Sequence, residues 1–206
     1  MLNYAARPLM VEVQPKVLYY GTPVVILSTL NPDGSTNIAP ISSSWALGNR
    51  LVIGVGLGSQ SADNLMVHPE CVLNVPDVRL FRAVEALAPL TGADPVPEGK
   101  QAMGFRHEAQ KFAASGLTPV PSSVVRSQRI AECPLQIEAL VRHLRISGDS
   151  PAFAVVEVEA VRIHAHAAVV HDPQHINPVT WRPLIYSFRH YFTLGEELGR
   201  TFRAEV

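Results

Sequence analysis

Between Thr36 and Asn64 the chain reads TNIAPISSSWALGNRLVIGVGLGSQSADN, two clusters of hydroxyls and amides joined by an apolar run. The first comprises Asn37 and Ser42, Ser43 and Ser44, with Ala39 and Pro40 between them and Trp45 after them. The second comprises Ser59, Gln60, Ser61 and Asn64. These residue types suit binding better than catalysis. Ser59 and Ser61 are good N-caps, and Leu65 and Met66 open an apolar face behind them, so a helix is expected to begin there. A helix start presents unpaired N–H groups and the positive end of its dipole, which suits an anion such as a phosphate. The functional reading is a phosphate-bearing group held between the two clusters, with Trp45 shielding it. An ordinary N-cap and a polar turn beside one aromatic would use the same residues.

Other chemistries find less support. Gly54-Val55-Gly56-Leu57-Gly58 follows a strand and precedes a helix, but position 59 is Ser, so G-x-G-x-x-G is not met, and no acidic residue ends a following strand at the required distance. His164 and His166 share a strand face, with His171 and His175 beyond them. No Cys, Asp or Glu follows at metal-site spacing and no H-E-x-x-H occurs, so solvated histidines are the simpler reading. There is no G-x-S-x-G nucleophile signature, and Cys71 and Cys133 read as core or strand thiols. No pair of carboxylates lies in an apolar setting. A chain without evident acid, base or nucleophile fits a mechanism in which a cofactor carries the reaction.

The elements that must position these clusters are mostly strands. Residues 23–30 are apolar on both faces, as in a strand buried on both sides. Asn31-Pro32-Asp33-Gly34 is a turn signal, and residues 35–41 return as the second strand of a hairpin. Strands are expected over 50–56 and 71–75, and helices over 61–68, 80–91 (closed by Gly92) and 105–115 (ended by Gly116). GADPVPEG reads as loop and 120–131 as irregular or edge strand. In the two long strands that follow, the apolar set changes parity, between Val141 and Leu144 and again between Ala160 and Val161. Each change implies an extra residue, hence a bulge and a bend, and bent strands suit a closed barrel. The expectation is one mainly β domain over 1–206, a β-barrel with helical excursions. Residues 1–16 form an irregular lead-in, and the tail over 180–206 packs on the body or on a dimer partner.

Apolar residues make up 47% of the 206 and charged ones 17%, which fits either a covered face, as in a homodimer, or an Ala- and Val-rich core. A net charge of −1 without a basic stripe gives no electrostatic footprint for nucleic acid. Two isolated cysteines indicate a reducing compartment. With neither a secretory pattern nor an apolar run of membrane-spanning length, no membrane association and a cytoplasmic location are expected.

Taken in order, PVVILSTLNPDGSTNIAPISSSW, GSQSADNL, CVLNVP, KFAASGLTPVPSSVV with CPLQIEA, and RHYFTLGEELGRTF resemble the flavin reductase-like family of FMN-binding split barrels, over about residues 17 to 200. The resemblance implies a six-stranded split barrel, a homodimer and one FMN per subunit, with FAD as the alternative. It also implies hydride transfer from NADH or NADPH to the flavin, with reduced flavin used on the spot or passed to a partner oxygenase. Carried over by motif, Asn37, Ala39, Pro40 and Ser42 line the flavin and ribityl chain, with Ser43 and Trp45 adjacent. Ser59, Gln60, Ser61 and Asn64 take the phosphate, and Tyr191, with Arg189 and His190, approaches from the tail. Gln60 stands where many relatives carry a basic residue, so the phosphate is expected to rest on uncharged donors and the helix dipole. An FMN-binding electron carrier without nicotinamide turnover is the alternative. A pyridoxamine-phosphate-oxidase-like relative would require a basic cluster that is not seen.

Overall fold

The computed structural model describes residues 9–146, 148 and 152–204; the lead-in before Leu9 lies outside them. Seven strands form one antiparallel sheet: β1 (Val25–Leu30), β2 (Thr36–Ile41), β3 (Ser44–Leu47), β4 (Arg50–Gly56), β5 (Glu70–Val75), β6 (Leu135–Ile146) and β7 (Phe153–Ala165). Their spatial order is β2-β1-β5-β6-β7-β4-β3. The two outermost strands, β2 and β3, are consecutive in the chain, separated only by Ser42 and Ser43. The sheet therefore closes on itself through one bent strand, Thr36–Leu47, and the result is the expected six-stranded barrel. The Gly54 amide donates to the Ser43 carbonyl at 2.8 Å, carrying the pairing into the break.

Strand β1 is buried along its whole length, as its sequence requires. Val25 and Leu27 enter the barrel interior with Ile53, Val55, Leu73, Val156 and Val158. Ile26 faces a second core outside, among Val24, Ile38, Val84, Leu87, Ile130 and Leu184. Each fully buried aliphatic side chain contributes about 1.5–3 kcal/mol, so a polar substitution on either face of β1 would weaken one core. The two parity changes are real bulges. Arg142 is the extra residue of β6 between Val141 and His143, and Val161 that of β7 between Ala160 and Arg162.

Helix α1 (Gln60–Val67) caps one barrel end, with Ala62 and Leu65 in the interior core. Helix α2 (Phe81–Leu87) covers the outer core and is shorter than expected: it stops just ahead of Pro89 rather than at Gly92, since that residue cannot donate a helical hydrogen bond. A short helix α3 (Glu98–Ala102) lies in the stretch expected to be loop. The helix expected over 105–115 is confined to α4 (Lys111–Ser115), because Arg106 and His107 instead pair in parallel with Leu90 and Thr91. Strand β3 was not anticipated, since its serine start resembles a turn. In the tail, Ile185–Ser187 pairs with Tyr20–Pro23 on one side and His190–Phe192 on the other. Among the described residues no helix is long and apolar enough to cross a membrane.

Candidate functional site

The bent strand and the start of α1 frame one groove on the barrel's outer wall. Two cavities make it up, of about 330 and 230 Å³, and both are lined by Pro40, Ile41, Gly56 and Ala88. The larger continues to Ser42, Ser43, Tyr19, Tyr186 and Tyr191, the smaller to Asn37, Ala39, Ser59, Gln60, Ser61, Lys100 and Lys111. One end is thus aromatic and the other is rich in hydrogen-bond donors.

At the donor end, Ser59 caps α1, its hydroxyl accepting from the Ala62 amide at 3.2 Å. Ser61 and Asn64 are buried. Asn64 lies behind the cavity: its amide donates to Thr29 Oγ1 at 3.0 Å and Asn31 Oδ1 at 2.8 Å and accepts from Gln60 Nε2 at 2.8 Å. It positions Gln60 rather than facing the groove. Asn37 donates to Ser61 Oγ at 3.1 Å, and its Oδ1 accepts from Lys111 Nζ at 2.8 Å. Gly92 seals the wall, since a Cβ there would lie 2.7 Å from Asn37 Oδ1 and 3.1 Å from Gln60 Cγ.

The expectation of an uncharged donor set meets a different arrangement, in which Lys100 and Lys111 line the same cavity as Ser59 and Ser61. Lys111 is only 3% exposed. Its acceptors are Asn37 Oδ1 and, at 3.1 Å, the Ile38 carbonyl, both neutral. Neither lysine pairs with a carboxylate among the described residues. Burial, reinforced by the like charge of Lys100 and opposed by Glu108, pulls the Lys111 ammonium down to about 8. Burial also lowers that of Lys100, with Asp63 opposing. An amphipathic helix pattern does not reveal a buried lysine, but one signal was present. The chain has three lysines, at 16, 100 and 111, and two of them meet here.

At the aromatic end, Tyr191 stacks edge-on against Tyr186 and Phe81, with centroids 5.4 and 5.2 Å away, and Tyr19 against Tyr186 at 5.4 Å. The Tyr19 hydroxyl lies 3.1 Å from Ser43 Oγ. Burial first, then its hydrogen bond to Glu85, pushes the Tyr191 phenol well above the usual tyrosine value. Tyr191 follows a two-residue turn, Phe188-Arg189, in which both residues have positive φ, 45° and 67°. Side chains there are strained. Arg189 and His190 are exposed at that turn and outside the groove, with His190 Nδ1 3.0 Å from its neighbour's Phe188 carbonyl. Trp45 is also outside, 59% exposed on β3.

A long groove with a cationic, donor-rich end, a small apolar waist and serines on either side of it suits a phosphate-bearing cofactor by donor chemistry. Residues 17–195 match the model of the flavin reductase like domain. The chain belongs to that family. It is 50% identical over 195 residues to uncharacterized protein YdfE of Bacillus subtilis (strain 168), covering 95% of this chain and 94% of that one. Among solved structures its fold resembles flavoredoxin of Desulfovibrio vulgaris (Miyazaki F), with a TM-score of 0.77, 18% identity and coverage of 95% and 99% of the two chains. It also resembles nitrilotriacetate monooxygenase component B of Bacillus cereus, with a TM-score of 0.74, 18% identity and coverage of 94% and 100%. Family members and this chain thus share the barrel, and the groove described above lies on it.

Proposed function

We propose that this flavin reductase-like protein binds FMN and reduces it with NADH or NADPH. The observation that carries this reading is the buried, unbalanced Lys111 ammonium in the same cavity as the α1 helix start: a site built for a terminal anion. Ser59, Gln60, Ser61, Lys100 and Lys111 would hold the phosphate, Asn37, Ala39, Pro40, Ser42 and Ser43 the ribityl chain and ring edge, and Tyr191 would border the ring. When bound, flavin supplies the redox chemistry, accepting the reducing equivalent of the nicotinamide nucleotide. The chain's own side chains bind and orient it, and the aromatic cluster keeps water from one end of the groove. Among the described residues no carboxylate or histidine lines either cavity, so no side-chain acid or base is assigned.

A homodimer fits the exposed Trp45 and Leu47, two residues apart on β3, with exposed Tyr20 in the neighbouring strand. A flavin-dependent oxygenase is the proposed recipient of reduced flavin, a reading supported by the likeness to a monooxygenase component. The cytoplasm suits the two free, buried thiols. The test is the visible spectrum of the purified protein, mass identification of the released cofactor, and NADH and NADPH oxidation with added FMN. A rate above that of free flavin is expected. Bound FMN without such a rate would identify an electron carrier, and no flavin binding would refute the proposal.

A further inference from the structure

Lys111 raises a separate question, because a buried ammonium that meets only neutral acceptors is stabilised poorly. Its surroundings come from four elements. Asn37 and Ile38 of β2 supply the two acceptors, and Lys100 of α3 adds a like charge. Glu108, in the segment before α4, opposes that charge, while Asp63 of α1 acts on Lys100. His107 lines the neighbouring cavity, with its Nδ1 3.2 Å from the Ala93 carbonyl. Lys111 also lines that neighbouring cavity, with Asp33 and Glu108, but among the described residues no carboxylate pairs with it, and it lines the groove beside Ser59 and Ser61.

Resting on the flavin reading above, we propose that Lys111 is an ionisable phosphate reader: FMN binds with uptake of a proton on this side chain, so FMN is released as the pH rises while phosphate-free riboflavin is not. The balance is simple. The free site above about pH 8 holds Lys111 neutral, a phosphate dianion beside it requires the ammonium, and the proton comes from solvent. The phosphate's own second ionisation lies near pH 6, so from pH 7 to 9.5 the lysine is the group that changes. Where Gln60 brings no charge to the first turn of α1, Lys111 supplies one from α4, in a form that titrates.

The experiment is fluorescence titration of the cofactor-stripped protein with FMN and with riboflavin at pH 7.0, 8.0, 9.0 and 9.5, repeated for Lys111→Gln and Lys100→Gln. For the native chain the FMN Kd is expected to rise about fivefold between pH 8 and 9, with riboflavin flat. Lys111→Gln should weaken FMN but not riboflavin and should lose the pH dependence. Lys100→Gln should weaken FMN while retaining the dependence. A flat FMN profile, an equal slope for riboflavin, or a slope surviving in Lys111→Gln would overturn the proposal while leaving flavin binding standing. Failure of both flavins to bind at any pH would overturn it together with the flavin reading.

Discussion

Of the charged residues buried among those described, Asp77, Lys111 and Glu138, the last two are treated in opposite ways. Glu138, on β6, is fully buried and fully answered: Oε1 accepts from the Ser123 amide at 2.9 Å, Oε2 from the Val124 and Val125 amides at 2.6 and 3.1 Å, and His164 Nε2 lies 2.7 Å away. Arg129 adds a cation at 3.8 Å. Lys111, on α4, donates to two neutral acceptors and pairs with no carboxylate among the described residues, Glu108 acting on it only from a distance. A charge that is answered within the fold fastens a loop to the barrel. A charge left unanswered at a cavity wall is kept at some expense to stability, and that pattern marks a site shaped for something the chain itself does not supply.

Breaking the answered charge should have the largest effect. Glu138→Ala strands three backbone amides and a histidine, and a loss of about 3–5 kcal/mol is expected in urea unfolding; a change below 1 kcal/mol would remove the contrast. On the acid side the sign follows from the Glu138 carboxyl. Burial raises it, but the three amides and His164 outweigh burial and hold it below the ordinary 4.5. Its stabilisation is therefore complete above that ordinary value and is lost as the pH falls through the lower, folded value.

Asn64→Ala should come next. Asn64 joins Gln60, Thr29 and Asn31, so truncation leaves buried partners unsatisfied and should cost about 1–3 kcal/mol, seen as a lower urea midpoint together with weaker FMN binding. Weaker binding at unchanged stability would instead place Asn64 in direct contact with the cofactor.

The smallest effect on the cofactor-free fold belongs to Lys111→Gln, within about 1 kcal/mol and in the stabilising direction. Its diagnostic is pH. Lys111 sits near 8 in the folded chain against an ordinary 10.5, so the unfolded chain binds more protons between those values. Stability of the cofactor-free protein should rise with pH across that window, and the variant should lose this rise. Thermal melts of both proteins from pH 7.5 to 9.5 check it, and parallel curves would show that Lys111 is not the group responsible.

The strands and their bulges were legible because Val25–Leu30 is apolar on both faces and because the period of two in the long strands breaks visibly at Arg142 and Val161. The hydroxyl clusters were legible because Ser59 and Ser61 stand where a helix must be capped. The lysines were not, since Lys100 follows a stretch that reads as loop and Lys111 sits in an amphipathic helix pattern, and tertiary packing alone turns both inward. The strand Ser44–Leu47 was hidden for a related reason: its serine start resembles a turn, and its pairing with Arg50–Ile53 is set by closure of the sheet. Trp45, read from its position beside the serines, lies beyond that closure, on the exposed side.

Ser42 and Ser43 are also the joint through which the sheet's first and last members become one. Proteolytic nicking there would convert the cylinder into a ribbon with two bare margins of unpaired amides, each a template for a foreign strand. The residues that touch the proposed cofactor are thus also the clasp that keeps such margins from existing.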